Sequence, residues 1–403
     1  MTGSPATSLS EAPILDLDPF SDEVLRDPYP FFEQLLDAGP AAYIPLYDYY
    51  AVGRWDEVGQ VASDHSRFTS TGGVGMADIR KPGAWRSPSP ITEIEGTEHA
   101  GVRRALQRIL SPRVVREWRE RFEDHAQQVA ERVLDEREID GVSDIAEAFV
   151  LSAFPGVLGI DAAPDRLVLT GELNFNQLGP NNERLQRCLR RAEPILEWYA
   201  DQLKRERMLP GGFGIQIFEA EDRGEFASGT AAPHVRSFFR AGTDTTIAGI
   251  GHALHLLAIN PEQYSLLHAD PAKARNAFEE AIRLESPAMV MFRTTTGNVE
   301  LSGVRLKPDT KVGYYAGAAN RDARQWVDPD RYDINRNVAG IHRAFGFGAH
   351  ICIGQMIARL EAESILNAIS IRAKSVELAG EPSYRLVNTL RTLNALPLRI
   401  KPR

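Results

Sequence analysis

With 403 residues, 43% of them hydrophobic, the chain can bury a large core. A formal net charge of −9 excludes wholesale nucleic-acid binding, so any cationic partner site has to be local. Only Cys188 and Cys352 carry thiols, in unlike settings, which excludes a disulfide framework and fits a reducing cytosol.

The opening stretch MTGSPATSLSEAPILDLDPF has no basic patch followed by an apolar run, so neither a secretory signal nor a membrane anchor is expected, and residues 1–19 read as a flexible segment. DPYPFFEQLLDAG predicts a helix that begins behind Pro30 and stops at Gly39. AAYIPLYDYYAVGR predicts a tyrosine-rich hairpin broken at Pro45 and Asp48. Residues 69–97 form a long Gly-, Pro- and Ser-punctuated loop, and loops of that length are commonly functional. From Glu98 to Leu284 helical periodicity dominates, broken at Pro112, Gly141, Pro155, Gly159, Pro164, Pro180, Pro210 to Gly214, Pro261 and Pro271. Residues 294–316 and 376–400 alternate like strands, with a helix between them from Cys352 to Ala373. Without repeats or low-complexity linkers, residues 1–403 read as one mainly-α domain with small β-sheets.

Three stretches carry chemistry. FGFGAHICIG places Cys352 among four glycines, where backbone N–H groups and a following helix can stabilise a thiolate. A nucleophilic cysteine needs a positioned base, and His350 lies two residues away, where side chains diverge. Zinc needs companion ligands that the sequence does not supply nearby. A single thiolate without companions suits the axial ligand of haem iron, against the alternative of an inert cysteine in a glycine-rich turn. The apolar helix HVRSFFRAGTDTTIAGIGHALHLLAI is interrupted by AGTDTT, whose polar groups suggest a proton path unless they form a solvated face. FEEAIRLESP sets Glu280 and Arg283 three apart on one helical face, where they can pair.

In this order the three resemble the cytochrome P-450 superfamily of haem-thiolate monooxygenases: Phe345, Gly348, His350, Cys352 and Gly354 meet its cysteine motif. Ala241, Gly242, Asp244, Thr245 and Thr246 meet its oxygen-activating segment. The resemblance spans residues 20–400 and implies a multihelical, prism-shaped fold binding haem b (iron protoporphyrin IX). It implies Cys352 as iron ligand, Asp244 and Thr245 as proton-delivering residues, and His99, Arg103, Arg293, His342, Phe345 and His350 around the haem. Glu280, Arg283 and Arg331 would form a structural charge network. It also implies a cytoplasmic monomer that takes electrons from a ferredoxin with its NAD(P)H-dependent reductase. The basic stretch RRALQRILSPRVVREWRER is the candidate docking face.

For the substrate, helical geometry puts Ser237, Ala241 and Thr245 on one stripe, with Ser237 roughly 12 Å from Thr245 at a rise of about 1.5 Å per residue. That is close to the length of a para-substituted benzoate. WRSPS, NFNQLGPNNE, PGGFG and VRSFFRAGTDTT are similar to the bacterial subgroup that oxidises para-substituted benzoic acids such as 4-methoxybenzoate. By that likeness Arg86, Ser89, Arg236 and Ser237 would clamp the carboxylate, and Phe175, Leu178, Ala241 and Ala288 would surround the ring. Arg240 stands where the subgroup has a small serine; it either adds a cation or turns aside to Asp244, four residues on. A neutral terpene or polyketide as substrate, or a non-enzymatic haem-thiolate gas sensor, are the competing functions.

Overall fold

In the computed structural model, which describes residues 11–134, 136, 138–161 and 164–403, the chain enters along a sheet edge. Residues 11–19 depart from the expected looseness: Leu15 N–H donates to the Tyr43 carbonyl at 2.9 Å and Tyr43 N–H to that of Pro13 at 2.8 Å. Phe20, buried, anchors the end of this segment, while residues 1–10 lie outside the described residues.

Helix α1 (Tyr29–Ala38) carries Pro30 in its first turn, where a missing N–H costs nothing, and ends at Gly39 with φ 125°. Strands β1 (Ala42–Ile44) and β2 (Tyr49–Val52) pair antiparallel with Ala42 opposite Ala51, and Asp48 turns the corner in the left-handed region. Helix α2 (Trp55–Ser63) and the short β3 (Phe68–Thr69) lead into the long loop, which is irregular throughout. The helical body then follows: α3 (Gly96–Ile109), α4 (Arg119–Leu134), α5 (Ala148–Leu158), α6 (Pro164–Leu178), α7 (Ala231–Ile259) and α8 (Ala274–Glu285). Strands β4 (Val290–Thr295) and β5 (Lys311–Tyr315) complete a sheet of order β1-β2-β5-β4-β3, in which only β2 and β5 run parallel. After the cysteine loop comes α9 (Gln355–Arg372), and the strands Ala373–Leu378 and Pro397–Pro402 pair near the C-terminus as the alternation predicted.

Two expectations need correction. Pro155 does not break its helix but sits inside α5; the flanking Phe154, Val157 and Leu158 are all buried, and that burial outweighs the lost backbone bond. The break falls at Gly159, φ 98°. The segment AGTDTT does not interrupt its helix either: α7 continues through it for 29 residues, because Thr243 and Thr245 return their hydroxyls to the carbonyls of Phe239 and Ala241.

Helix α7 runs through the centre, against α5, α6, α8 and α9. Two glycines permit the close crossings: a Cβ on Gly242 would fall 2.7 Å from the Phe154 ring of α5, and one on Gly249 2.7 Å from Phe278 of α8. The apolar stretch Gly141–Leu158 has the length of a membrane span, but 67% of it is buried inside the fold.

Candidate active site

The cysteine loop is shaped by its own backbone. Gly346 and Gly348 sit at φ 74° and 75°, a region only glycine occupies freely, and Cys352 N–H closes the loop on the Phe345 carbonyl at 2.8 Å. A side chain on Gly348 would strike Ser63 of α2 at 2.6 Å, so this glycine serves the packing of the loop on α2 rather than the approach of a large group. Burial pushes the Cys352 thiol up; the N–H groups of Gly354 and Gln355 and the charges of Arg103 and Arg359 oppose it without prevailing. A thiolate here therefore requires one more positive charge, which an iron ion bonded to sulfur supplies. Among the described residues no group of three or more His, Cys, Asp or Glu gathers for another metal.

Above the sulfur lies a cavity of about 330 Å³ lined by Arg103, Ala241, Thr245, Arg343, Phe345, His350 and Cys352 at one end. The residues present fit a haem, on three observations. Arg103 and Arg293 meet no carboxylate among the described residues. The Nε atoms of Arg343 and Nε2 of His99 are buried without a hydrogen-bond partner. The His99 ring packs against that of His350 at 4.1 Å, tilted by 36°, while His350 Nε2 lies 3.1 Å from Glu95. Buried cationic and donor groups left in this state call for anions, and two propionates provide them. Burial holds the His99 imidazole down at about 4. Arg293 lies over the Tyr314 ring at 5.3 Å, just behind the cavity wall.

His342 departs from its expected role. It is buried with Nε2 2.7 Å from Glu279, a carboxylate also held by Arg359, and it does not line the cavity. The neighbouring Arg343, which sequence reading missed, does line it, and packs over Trp55 and Phe347. The structural network is likewise rearranged. Arg283 and Glu280 pair at 2.7 Å with both side chains fully buried, but the second cation on Glu280 is Arg336, at 3.1 Å. Arg331 is 63% exposed, reaches only Asp333 at 3.9 Å, and contributes to the network through its carbonyl alone.

On α7, Thr245 Oγ1 faces the cavity and donates to the Ala241 carbonyl at 2.6 Å. Asp244 points the other way, against α6: a Cβ on Gly171 would lie 2.4 Å from its carboxyl group, so glycine is what admits it. Both its oxygens are buried without partners, and burial raises the carboxyl to about 7, with Arg385 opposing. An acid half protonated at neutral pH, one residue from a cavity-facing hydroxyl, can pass protons inward.

The far end of the cavity gathers Arg86, Ser89, Phe175, Leu178, Arg236, Ser237, Arg240 and Ala288. Sequence reading did not find Glu93, the acid that organises this end. Fully buried, it pairs with Arg86 and accepts from the N–H groups of Val74 and Ser89 at 2.8 and 2.7 Å. The Ser89 and Ser237 hydroxyls lie 3.4 Å apart. The same loop is held from outside by Lys311 of β5, whose ammonium donates to the carbonyls of Gly72, Gly73 and Gly75 at 2.8, 2.9 and 3.1 Å. Arg240 does not turn to Asp244; its guanidinium lies over the Tyr199 ring at 5.3 Å. In the basic stretch proposed for docking, Arg108, Arg113 and Arg119 are already paired with glutamates, while Arg104 and Arg116 are exposed and meet no carboxylate among the described residues.

Comparison with known proteins adds a second line of observation. The family model described as Cytochrome P450 matches residues 214–377. Cytochrome p450 CYP199A2 of Rhodopseudomonas palustris is 41% identical over 401 residues, 99% of this chain and 97% of that protein. The beta-dihydromenaquinone-9 omega-hydroxylase of Mycobacterium tuberculosis is 28% identical, over 97% of this chain and 79% of its own length. The structure of cytochrome P450 CYP109Q5 from Chondromyces apiculatus superposes with a TM-score of 0.80 at 27% identity, covering 96% of this chain and 99% of that one.

Proposed function

This chain belongs to the cytochrome P450 family, is a monooxygenase with haem b as its cofactor, and on that premise we propose that it oxidises a para-substituted aromatic carboxylic acid. The reaction is O-demethylation or hydroxylation at the para substituent of a 4-methoxybenzoate-like acid, with electrons from a ferredoxin and its NAD(P)H-dependent reductase. The observation that carries this reading is one cavity with Cys352 at one end and Arg86, Ser89, Arg236 and Ser237 at the other.

When bound, haem supplies the activation of dioxygen and the oxidation of a C–H bond. The chain supplies position and protons. Arg86, oriented by Glu93, and the hydroxyls of Ser89 and Ser237 donate to the carboxylate, and charge-assisted bonds of this kind are the strong ones. Phe175, Leu178 and Ala288 hold the ring by apolar contact, so the anchored end decides which carbon faces the cysteine end. Asp244 carries a proton on its carboxyl group, and the Thr245 hydroxyl, one residue on, holds water at the reacting end. This paired acid and alcohol favours a catalytic role over gas sensing. Arg104, Arg116 and Arg121, exposed and meeting no carboxylate among the described residues, are cations available to an acidic electron donor.

The test is a titration of ferric holoprotein with 4-substituted benzoates, neutral terpenes and a macrolide, followed by the Soret shift. Benzoates are expected to shift the band, and Arg86→Ala to weaken them by about tenfold or more, the value of a lost hydrogen bond to a charge at 1.5–3 kcal/mol. A shift with the neutral compounds alone, indifferent to Arg86→Ala, would reject the acid substrate.

A further inference from the structure

We propose that the far end of the cavity is built for a doubly charged aryl head group, a phosphate monoester or a 1,2-dicarboxylate, with Arg240, seated over the Tyr199 ring, forming the second half of the clamp. The proposal rests on the aromatic-acid reading above and narrows it.

Charge decides the matter. Three guanidinium groups, Arg86, Arg236 and Arg240, line this end, and one carboxylate, Glu93, answers them, through Arg86. Other acids nearby are engaged or turned away: Glu172 is bound by Arg191 at 2.8 Å, and Asp244 faces Gly171 across α6. Among the described residues, Arg236 and Arg240 therefore meet no carboxylate, which leaves two positive charges over. They sit one turn apart on α7, where like charges repel. A benzoate would compensate one of them. Lys311, bonded to backbone carbonyls of the same loop and pushed down to about 7 by burial, is largely neutral at pH 8 and does not alter this balance.

The second half of the clamp has donors waiting. Arg240 lines the cavity with its Nε buried and without a hydrogen-bond partner, and its guanidinium lies over the Tyr199 ring, which stands behind the cavity wall. Unmet donors beside uncompensated cations lose energy unless an oxyanion reaches them. A single carboxylate spanning Arg86, Ser89 and Ser237 has no further oxygen for Arg240; a phosphate monoester or a neighbouring carboxylate does.

The experiment measures dissociation constants on the full-length holoprotein by calorimetry and by the Soret shift, at about pH 8, where an aryl phosphate carries two charges. The probes are 4-methoxybenzoate, 4-methoxybenzene-1,2-dicarboxylate and 4-methoxyphenyl phosphate. At least one dianion is expected to bind about tenfold or more tightly than the monocarboxylate, as one extra charge-assisted contact provides. The tighter of the two identifies the head group. Arg240→Leu is expected to bring that ratio to about one; should Arg240→Leu misfold, Arg240→Gln, which keeps a polar side chain without the charge, carries the comparison. Monocarboxylate binding as tight as both dianions, or a ratio that survives the Arg240 changes, overturns the proposal while leaving the aromatic-acid reading intact. No binding by any of the three anions overturns both.

Discussion

Asp244 is a carboxylic acid placed where water does not reach, and its chemistry follows from that placement. Its acid form persists up to about 7, so proton delivery falls as pH rises past neutrality. Turnover of the holoenzyme is expected to carry an inflection near that pH, and Asp244→Asn to abolish the inflection and lower kcat by about 10²–10⁴-fold while leaving the substrate dissociation constant in place. A loss in Kd equal to the loss in kcat would instead make Asp244 a binding group. The motif exposed Asp244, Thr245 and Cys352 because their spacing follows local backbone geometry. Glu93 stayed hidden: it meets Arg86 seven residues away through an irregular loop, and no periodicity announces such a pairing. Arg336 was missed for the same reason, since the turns after Pro329 send Arg331 outward and bring Arg336 back to Glu280.

Helix α7 shows how one element joins the two ends of the site. Its stripe of Ser237, Ala241 and Thr245 lines the cavity as its 3.6-residue period dictates, and its opposite side buries Asp244. The register of that stripe depends on contact with α5 at Gly242. Gly242→Ala would place a methyl 2.7 Å from the Phe154 ring and force the helices apart, at a cost of about 1–3 kcal/mol. A lower denaturant midpoint and a weaker Soret response to benzoates are expected together; an unchanged midpoint would mean that α5 yields freely. Periodicity made α7 legible at once, yet it suggested an interruption where none exists, because threonine hydroxyls bonded back to the preceding turn can leave a helix continuous. Pro155 misled in the same way.

Across the whole molecule, buried histidines set the response to acid. His234 and His252 are 1% and 0% exposed, and burial holds both at about 4, against an ordinary value near 6.5. Between those values the unfolded chain binds protons that the folded chain refuses, so stability falls as pH drops from about 6.5 toward 4. At pH 5 these two sites are expected to contribute about 4 kcal/mol of the loss relative to pH 7, at 1.36 kcal/mol per unit each, and the burial of His99, His125 and His255 acts in the same direction. His234→Gln should remove about 2 kcal/mol of the loss seen in denaturant melts at the two pH values. Carboxylates such as Glu279, held down at about 2, add nothing in that window, so an undiminished loss in the variant would place its origin elsewhere. The fold class was readable from helical periodicity flanked by two alternating stretches. The sheet order was not, because a parallel pairing of β2 with β5 joins segments more than 250 residues apart that share no local signal.

The grip of Lys311 on three carbonyls of one short stretch of backbone has a kinetic meaning. A wall riveted to the sheet by a desolvated ammonium, and laced to its own far end through Glu93, does not swing like a flap. Guests are then expected to trade places through some other seam.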